Sequence, residues 1–342
     1  MRLSRRHLLR GFSAGGLAFA AGQADAREKI VKPGLRPVTV RAQAFRDFDL
    51  HDRERVEFGA LRFKGGLVLT ADDPDFGGFS SLRMLDRDGR FITLSDQGTF
   101  LLGRLAGHGE APSGVEQAQM APALHSSGVP LVRSRSYDTE SMAFRDGELF
   151  VGVERTNEIL RFDWRRDGVL ARGQPIAAPA RLKALPHNLG IEALGVMPAG
   201  SSSPGSLIAI SERSGGIDAP TIGFLLGGPR PGEFEVIRHD RFAITDLDFL
   251  PSGDLILLER FFTWATGVRM RMRRIPLRSI KPGASLDGEI LLTADMGYEI
   301  DNMEGLSISA DVAGRTLFTL ISDDNFSILQ RTLMLQFQWL GD

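Results

Sequence analysis

The chain has no cysteine, which excludes disulfides, thiolate metal ligands and cysteine nucleophiles and removes any risk of mispairing in an oxidising compartment. No apolar run approaches the roughly 20 residues that a membrane-spanning helix needs. There is no P-loop, no dinucleotide glycine fingerprint and no HExxH zinc motif. The Arg-His-Gly run of histidine phosphatases is missing as well. The formal charge is −2 over 342 residues and no lysine cluster occurs, which is not the profile of a nucleic-acid-binding protein. His51, His108, His125, His187 and His239 show no metal-ligand spacing and read as surface or hydrogen-bonded structural groups.

The first residues read as a targeting segment. Ser4-Arg5-Arg6-His7-Leu8-Leu9-Arg10 opens the chain, a short apolar and small-residue run follows from Gly11 to Ala21, and Ala24-Asp25-Ala26 supplies a small-x-small cleavage site. That order is a secretion signal, and paired arginines before a weakly hydrophobic stretch mark the bacterial twin-arginine export route. The expectation is a signal peptide over residues 1–26, recognised by that export machinery, and a periplasmic or secreted domain over residues 27–342 with no membrane span. Its removal takes away four arginines and one aspartate, so the formal charge falls from −2 to about −5. The match of Gly11-Phe12-Ser13-Ala14-Gly15 to the serine-hydrolase elbow is false, because it lies in the cleaved segment with no strand before it.

What the chain does have is glycine and repetition. Its 39 glycines and 17 prolines favour many turns. Five strand-length apolar runs end on a carboxylate: Phe91–Asp96, Leu149–Glu154, Leu207–Glu212, Leu255–Glu259 and Leu317–Asp323. Each follows an earlier strand, beginning near Ser80, Glu140, Glu192, Asp246 and Glu304, across a glycine-bearing turn such as Arg145-Asp146-Gly147 or Pro251-Ser252-Gly253. Each unit is therefore a hairpin, and a third strand follows in places, as at Ile159–Trp164 and Met270–Ile275. Units of about 50 residues with three or four strands, repeated along an all-β chain, are propeller blades. The expected fold class is all-β, a β-propeller of about six blades within a range of five to seven. The final run Leu333–Leu340 is expected to share a blade with an N-terminal strand such as Val38–Ala42 and so close the ring. The Gly/Pro/Ser-rich stretch Leu105–Leu131 reads as a surface loop.

In an antiparallel hairpin the start of the first strand and the end of the second share an edge. Asp96, Glu140, Glu154, Glu192, Glu212, Asp246, Glu259, Asp301, Glu304, Asp323 and Asp324 are therefore expected at one mouth of the central channel, with His187-Asn188 near it. Crowded carboxylates need counter-charge. A ring of hard oxygens suits Ca²⁺, and arginine follows the strand-terminal acid at Arg155, Arg213 and Arg260. The plainer alternative is that these Glu-Arg pairs are salt bridges holding neighbouring blades. Asp323-Asp324-Asn325 places three oxygen-bearing side chains at one strand end, which reads as a cation site or an active-site corner.

These residues also carry a resemblance. Ser95-Asp96-Gln97-Gly98, Asp138-Thr139-Glu140-Ser141, Ile191-Glu192-Ala193-Leu194, the run Phe249–Arg260, Asp301-Asn302-Met303-Glu304-Gly305-Leu306 and Ser322-Asp323-Asp324-Asn325-Phe326 resemble the phytase-like propeller domains of bacteria, described as having esterase-like activity of phytase. The resemblance spans roughly residues 60–340. It departs at Gln97, where the family often carries arginine. It implies an ester hydrolase, with Ca²⁺-assisted cleavage of a small-molecule phosphomonoester as the leading expectation. On that reading Glu212, Glu259 and Asp323 act in catalysis and Arg155, Arg213 and Arg260 bind substrate. Glu140, Glu154, Glu192, Glu304, Asp324 and Asn325 hold the metal. Two alternatives stand beside it: a non-catalytic binding propeller that holds a cation and a ligand, and a lactone or carboxyl-ester hydrolase.

Overall fold

The computed structural model describes residues 34–134, 136–186, 189–213, 216 and 219–341. The proposed signal segment, and His187 and Asn188, lie outside the described residues. The described residues from Gly34 onward form five sheets arranged as five blades, antiparallel apart from two short outer strands that join in parallel, at the low end of the expected range. The innermost strands are Phe79–Met84, Thr139–Arg145, Ile191–Val196, Ala243–Phe249 and Met303–Ala310, in blades 1 to 5 respectively. These neighbour one another around the central axis. Each turns back into the second strand of its blade: Arg90–Ser95, Glu148–Val153, Leu207–Ser211, Leu255–Thr263 and Thr316–Ser322.

The hairpins form where the sequence places turn residues. Asp146 and Gly147 both have positive φ, 53° and 85°, and link Arg145 to its partner Glu148, which is the two-residue turn whose twist matches the strands it joins. The apolar runs are continuous rather than alternating because each blade is covered on both faces. Leu149, Val151 and Val153 pack between blades 1 and 2, whereas Phe150 of the same strand packs between blades 2 and 3. Leu255 and Leu257 likewise face blade 3, and Ile256 and Leu258 face blade 5. Every blade interface therefore has its own apolar core, five in all among the described residues.

The ring closes through strands from both ends of the chain. Thr332–Trp339 pairs with Leu61–Thr70, which in turn pairs with Arg41–Phe45, all in blade 5. The outer strand starts later than the expected Val38–Ala42, of which only Arg41 and Ala42 belong to it, while Val38 donates its amide to Ala118 of blade 1; Leu61–Thr70 lies between the outer strand and the C-terminal strand. The stretch Leu105–Leu131 is not a loop, because Gly114–Pro122 pairs with Thr99–Ala106 as the fourth strand of blade 1. Linking segments cover the outer edges: Leu124–His125 follows blade 1 but pairs with blade 2, and Ser285–Leu286 lies within the blade 4 segment but pairs with blade 3. Covered edges cannot template pairing with another chain.

At the axis, Arg83 of blade 1 crosses the channel. Its guanidinium meets the Asp246 carboxylate at 2.8 and 3.0 Å and donates to the carbonyls of Leu82, Leu194, Leu247 and Leu306. One side chain thereby joins four blades. Burial pushes the Asp246 carboxyl up to about 6, and Arg83 with the amides of Leu247 and Leu306 keeps it ionised at neutral pH. Asp246 is thus committed to the axis and does not belong to the mouth. Replacing Arg83 by methionine leaves that carboxylate buried and unpaired, so urea denaturation is expected to show a loss of about 3–5 kcal/mol. A loss below about 1 kcal/mol would contradict the role given to the pair.

A candidate metal centre at the channel mouth

All five inner strands carry a β-bulge at the same level. The register slips between Phe79 and Ser81, Thr139 and Ser141, Ile191 and Ala193, Ile244 and Asp246, and Met303 and Gly305. The residues left without a ladder partner are Ser80, Glu140, Glu192, Thr245 and Glu304. A bulge re-aims the side chain of its extra residue, and here the glutamates gather at the mouth. The hydroxyls of Ser80 and Thr245 instead bond backbone carbonyls, including Thr139 and Met303 of the next blade, at 2.6 and 3.2 Å.

A second ring comes from the ends of the second strands. Asp96, Glu154, Glu212 and Asp323 each follow the last paired residue of their strand and donate a backbone amide to Gly78, Asp138, Gly190 and Asn302 respectively. In blade 4 the equivalent residue is Arg260, which pairs with Ala243, while Glu259 pairs with Ile244 one place earlier. A shift of one residue sends a side chain to the other face of the sheet. Glu259 is accordingly buried within blade 4, where Arg273 holds it through contacts of 2.9 and 2.5 Å. The structure does not bring Glu259 to the mouth.

The mouth thus holds two interleaved sets of acids. Oxygen atoms of Asp138, Glu140 and Glu154 lie within 4.8 Å of one another, as do those of Glu154, Glu192 and Glu212. Glu154 belongs to both sets, and one of its oxygens accepts the Gly190 amide at 3.0 Å. Arg260 faces the sets from blade 4, donating to Asn302 at 2.6 Å and approaching Glu304 at 3.0 Å. Asn302 also donates to Glu304 at 2.9 Å. Asp138 was absent from the site expected from sequence, although it stands two residues before the bulged Glu140 in a quoted motif. Asn302 was missed in the same way.

The other expected residues sit at the rim or behind it. Arg213 pairs with Glu212 at 3.1 Å, and Arg155 lies over the Tyr137 ring and donates to its hydroxyl. Asp324 is occupied in joining blades, since it accepts the Gly78 amide at 2.9 Å and the Thr332 hydroxyl at 2.8 Å. An added Cβ at Gly78 would come within 2.6 Å of an Asp96 oxygen, so only glycine permits this approach. Asn325 is an exposed turn residue whose amide side chain donates to Gln330. Asp301 accepts from Asn302 and Arg331 and anchors the loop between the second and third strands of blade 5.

The electrostatics follow from burial among like charges. Burial and the nearby Asp323 carboxylate raise Asp96 to about 7, and one Asp96 oxygen is buried without a hydrogen-bond partner. Glu304 is raised to about 7 and Asp323 to about 6, chiefly by burial, with Arg260 opposing in both cases. Glu140 and Glu192 are raised well above the ordinary carboxylate range by burial and by each other's neighbours, Glu304 among them. Acids whose ionisation is suppressed in this way are short of positive charge, and all-oxygen donor sets of this kind match the ligand preferences of a hard divalent cation.

A family model described as phytase-like, esterase-like activity of phytase, matches residues 74–326, well over half of the chain. The chain belongs to this phytase-like family. Among solved structures, a chain provisionally described as a gluconolactonase is 14% identical with a TM-score of 0.44, over 82% of this chain and 92% of its own. The PQQ-bound aldose sugar dehydrogenase of Streptomyces coelicolor is 13% identical with a TM-score of 0.41, over 88% of this chain and 99% of its own. Such distant likenesses carry no chemistry over to the phytase-like chain. No curated protein matches it by sequence. Among its described residues no helix is long and apolar enough to cross a membrane.

The raised acids fix a pH dependence for the phytase-like fold. A carboxyl whose pKa is higher in the folded than in the unfolded state binds more protons when folded, so stability falls as pH rises between the two values. For Asp96 and Glu304 that window runs from 3.8 and 4.5 to about 7. The metal-free protein is expected to melt at higher temperature at pH 5 than at pH 7.5, and saturating calcium is expected to remove most of the difference. A flat or inverted metal-free profile in scanning calorimetry would contradict the assignment.

Proposed function

We propose that this phytase-like propeller is an exported, calcium-assisted hydrolase of small-molecule esters, with phosphomonoesters as its substrates. The observation that carries this reading is the pair of overlapping carboxylate triads, Asp138–Glu140–Glu154 and Glu154–Glu192–Glu212, beside the partly exposed guanidinium of Arg260. Those two triads would hold the cation. When bound, a divalent ion polarises an ester oxygen and lowers the pKa of a coordinated water. Arg260, tied to Asn302 and Glu304 by its Nη1 atom, keeps further donors for an anionic group approaching the mouth. Asp96 and Glu304, raised to about 7, are poised near neutrality, where a carboxyl exchanges a proton most effectively. The N-terminal targeting signal adds periplasmic or secreted placement to the proposal.

Glu154 is the single residue shared by both triads, so Glu154→Gln is the informative change. Calcium affinity is expected to fall at least about tenfold by titration calorimetry. Release of phosphate from p-nitrophenyl phosphate in calcium is expected to fall by about two orders of magnitude or more. Full activity in the variant would overturn the site. Calcium-dependent stabilisation with no turnover of p-nitrophenyl phosphate, p-nitrophenyl acetate or a sugar lactone would favour a binding propeller. Turnover of the acetate or the lactone alone would move the substrate class from phosphoesters to carboxyl esters.

A further inference from the structure

Beside the mouth, between blades 3 and 4, lies a cleft of about 260 Å³ lined by Arg213, Arg238, Arg241, Arg260, Phe261 and Phe262, with Glu212 as its carboxylate. Glu212 and Arg260 are also members of the mouth, so the cleft and the acid cluster share a wall. Arg260 and Arg213 are partly matched by Glu304 and Glu212. Arg241 has no ion-pair partner among the described residues and is exposed, with its guanidinium 5.9 Å from the Phe261 ring.

The backbone presents Arg241 deliberately. Asp240 and Arg241 are consecutive non-glycine residues with φ of 53° and 66°, a conformation that side-chain-bearing residues keep only where their surroundings enforce it. Arg238 enforces it here by donating to the carbonyls of Arg241 and Phe242, each at 3.0 Å. On the other side, Leu255–Thr263 and Gly267–Ile275 of blade 4 extend beyond the mouth level at Arg260. The extension carries Phe262, 48% exposed, against the edge of Trp264. Guanidinium groups bind oxyanions through several N–H donors at once, and exposed aromatic rings bind flat apolar groups.

We infer that this cleft is a recognition pocket for an oxyanion borne on an aromatic or similarly flat apolar group, the end of the substrate away from the scissile bond. The inference rests on the proposed reaction at the adjoining mouth. It narrows the substrate class to esters that carry a second acidic group on an apolar framework. The oxyanion sits against Arg241 with Arg213 and Arg260 alongside, the framework lies on Phe261 and Phe262, and the ester reaches the carboxylates of the mouth.

The pocket is tested without metal and without turnover, by titration calorimetry of the full mature chain after stripping with a chelating resin. The probes are phenylphosphonate and inorganic phosphate. Wild-type protein is expected to bind phenylphosphonate, Arg241→Gln to weaken it at least tenfold, and Phe262→Ala to weaken it several-fold while leaving inorganic phosphate unchanged. Both side chains are exposed, and unaltered melting curves establish that the variants are folded. Absence of phenylphosphonate binding to the wild type, or wild-type affinity in Arg241→Gln, overturns the pocket. Equal effects of Phe262→Ala on both probes overturn its apolar half. Because neither readout uses calcium or hydrolysis, failure here leaves the reaction at the mouth standing, and failure of the reaction leaves the pocket standing.

Discussion

A single register slip, repeated five times, governs this molecule. Each inner strand gives up one residue to a bulge at the corresponding position of its hairpin, and the residue released is either a glutamate aimed into the mouth or a hydroxyl bonded to the next blade. Without the slip, Glu140, Glu192 and Glu304 would stay in phase with the apolar residues of their strands and face the cores between blades. The bulges therefore allow one chain to keep five dry interfaces and still concentrate charge where they end.

That concentration is offset in two different ways at two depths. Beneath the bulges, Arg83 matches Asp246 with two short contacts, and its Nη1 and Nη2 groups also donate to carbonyls of four blades. This axial pair ties the inner strands together at the middle of the ring. At the mouth itself the balance is incomplete among the described residues, since Arg260 is the one arginine there to stand within the two rings of acids, and Asp96 and Glu304, raised to about 7, are held partly protonated by burial near neutral pH. A mouth short of positive charge beside a balanced axis is the setting in which the proposed cation would supply the missing charge. The arginine-lined cleft next to it extends the same surface to a negative group, so opposite charges meet side by side over a short distance.

Much of this architecture is legible in the residues. The hairpins are readable because apolar strand-length runs alternate with Asp-Gly and Pro-Ser-Gly turns, and an acid at the end of each run identifies the shared edge. The register is not readable. Leu255–Glu259 ends on a carboxylate like its counterparts, yet blade 4 places Arg260 at their level and buries Glu259 against Arg273. Nothing in the local pattern distinguishes the two, because the partner that decides it is 14 residues away. Gly114–Pro122 escaped notice for a different reason. Its Glu, Gln and Ala residues have weak strand preference, and the strand is held by backbone pairing at the periphery of blade 1. Asp138 and Asn302 lie outside the apolar runs and become site residues only when the bulges bring the strand entrances together. Five blades rather than six follow from the length spent on outer strands and on segments that lace one blade to the next.

The central claim is that the carboxylates around Glu154 form a cation site. Crystals of the protein grown in calcium and measured at long wavelength would place the ion by its anomalous scattering. The account predicts a strong peak at the mouth, about 2.3–2.6 Å from oxygens of Glu154 and its neighbours in the two triads. Saturating calcium with no anomalous peak among those carboxylates, or with peaks confined to the outer surface, would contradict it.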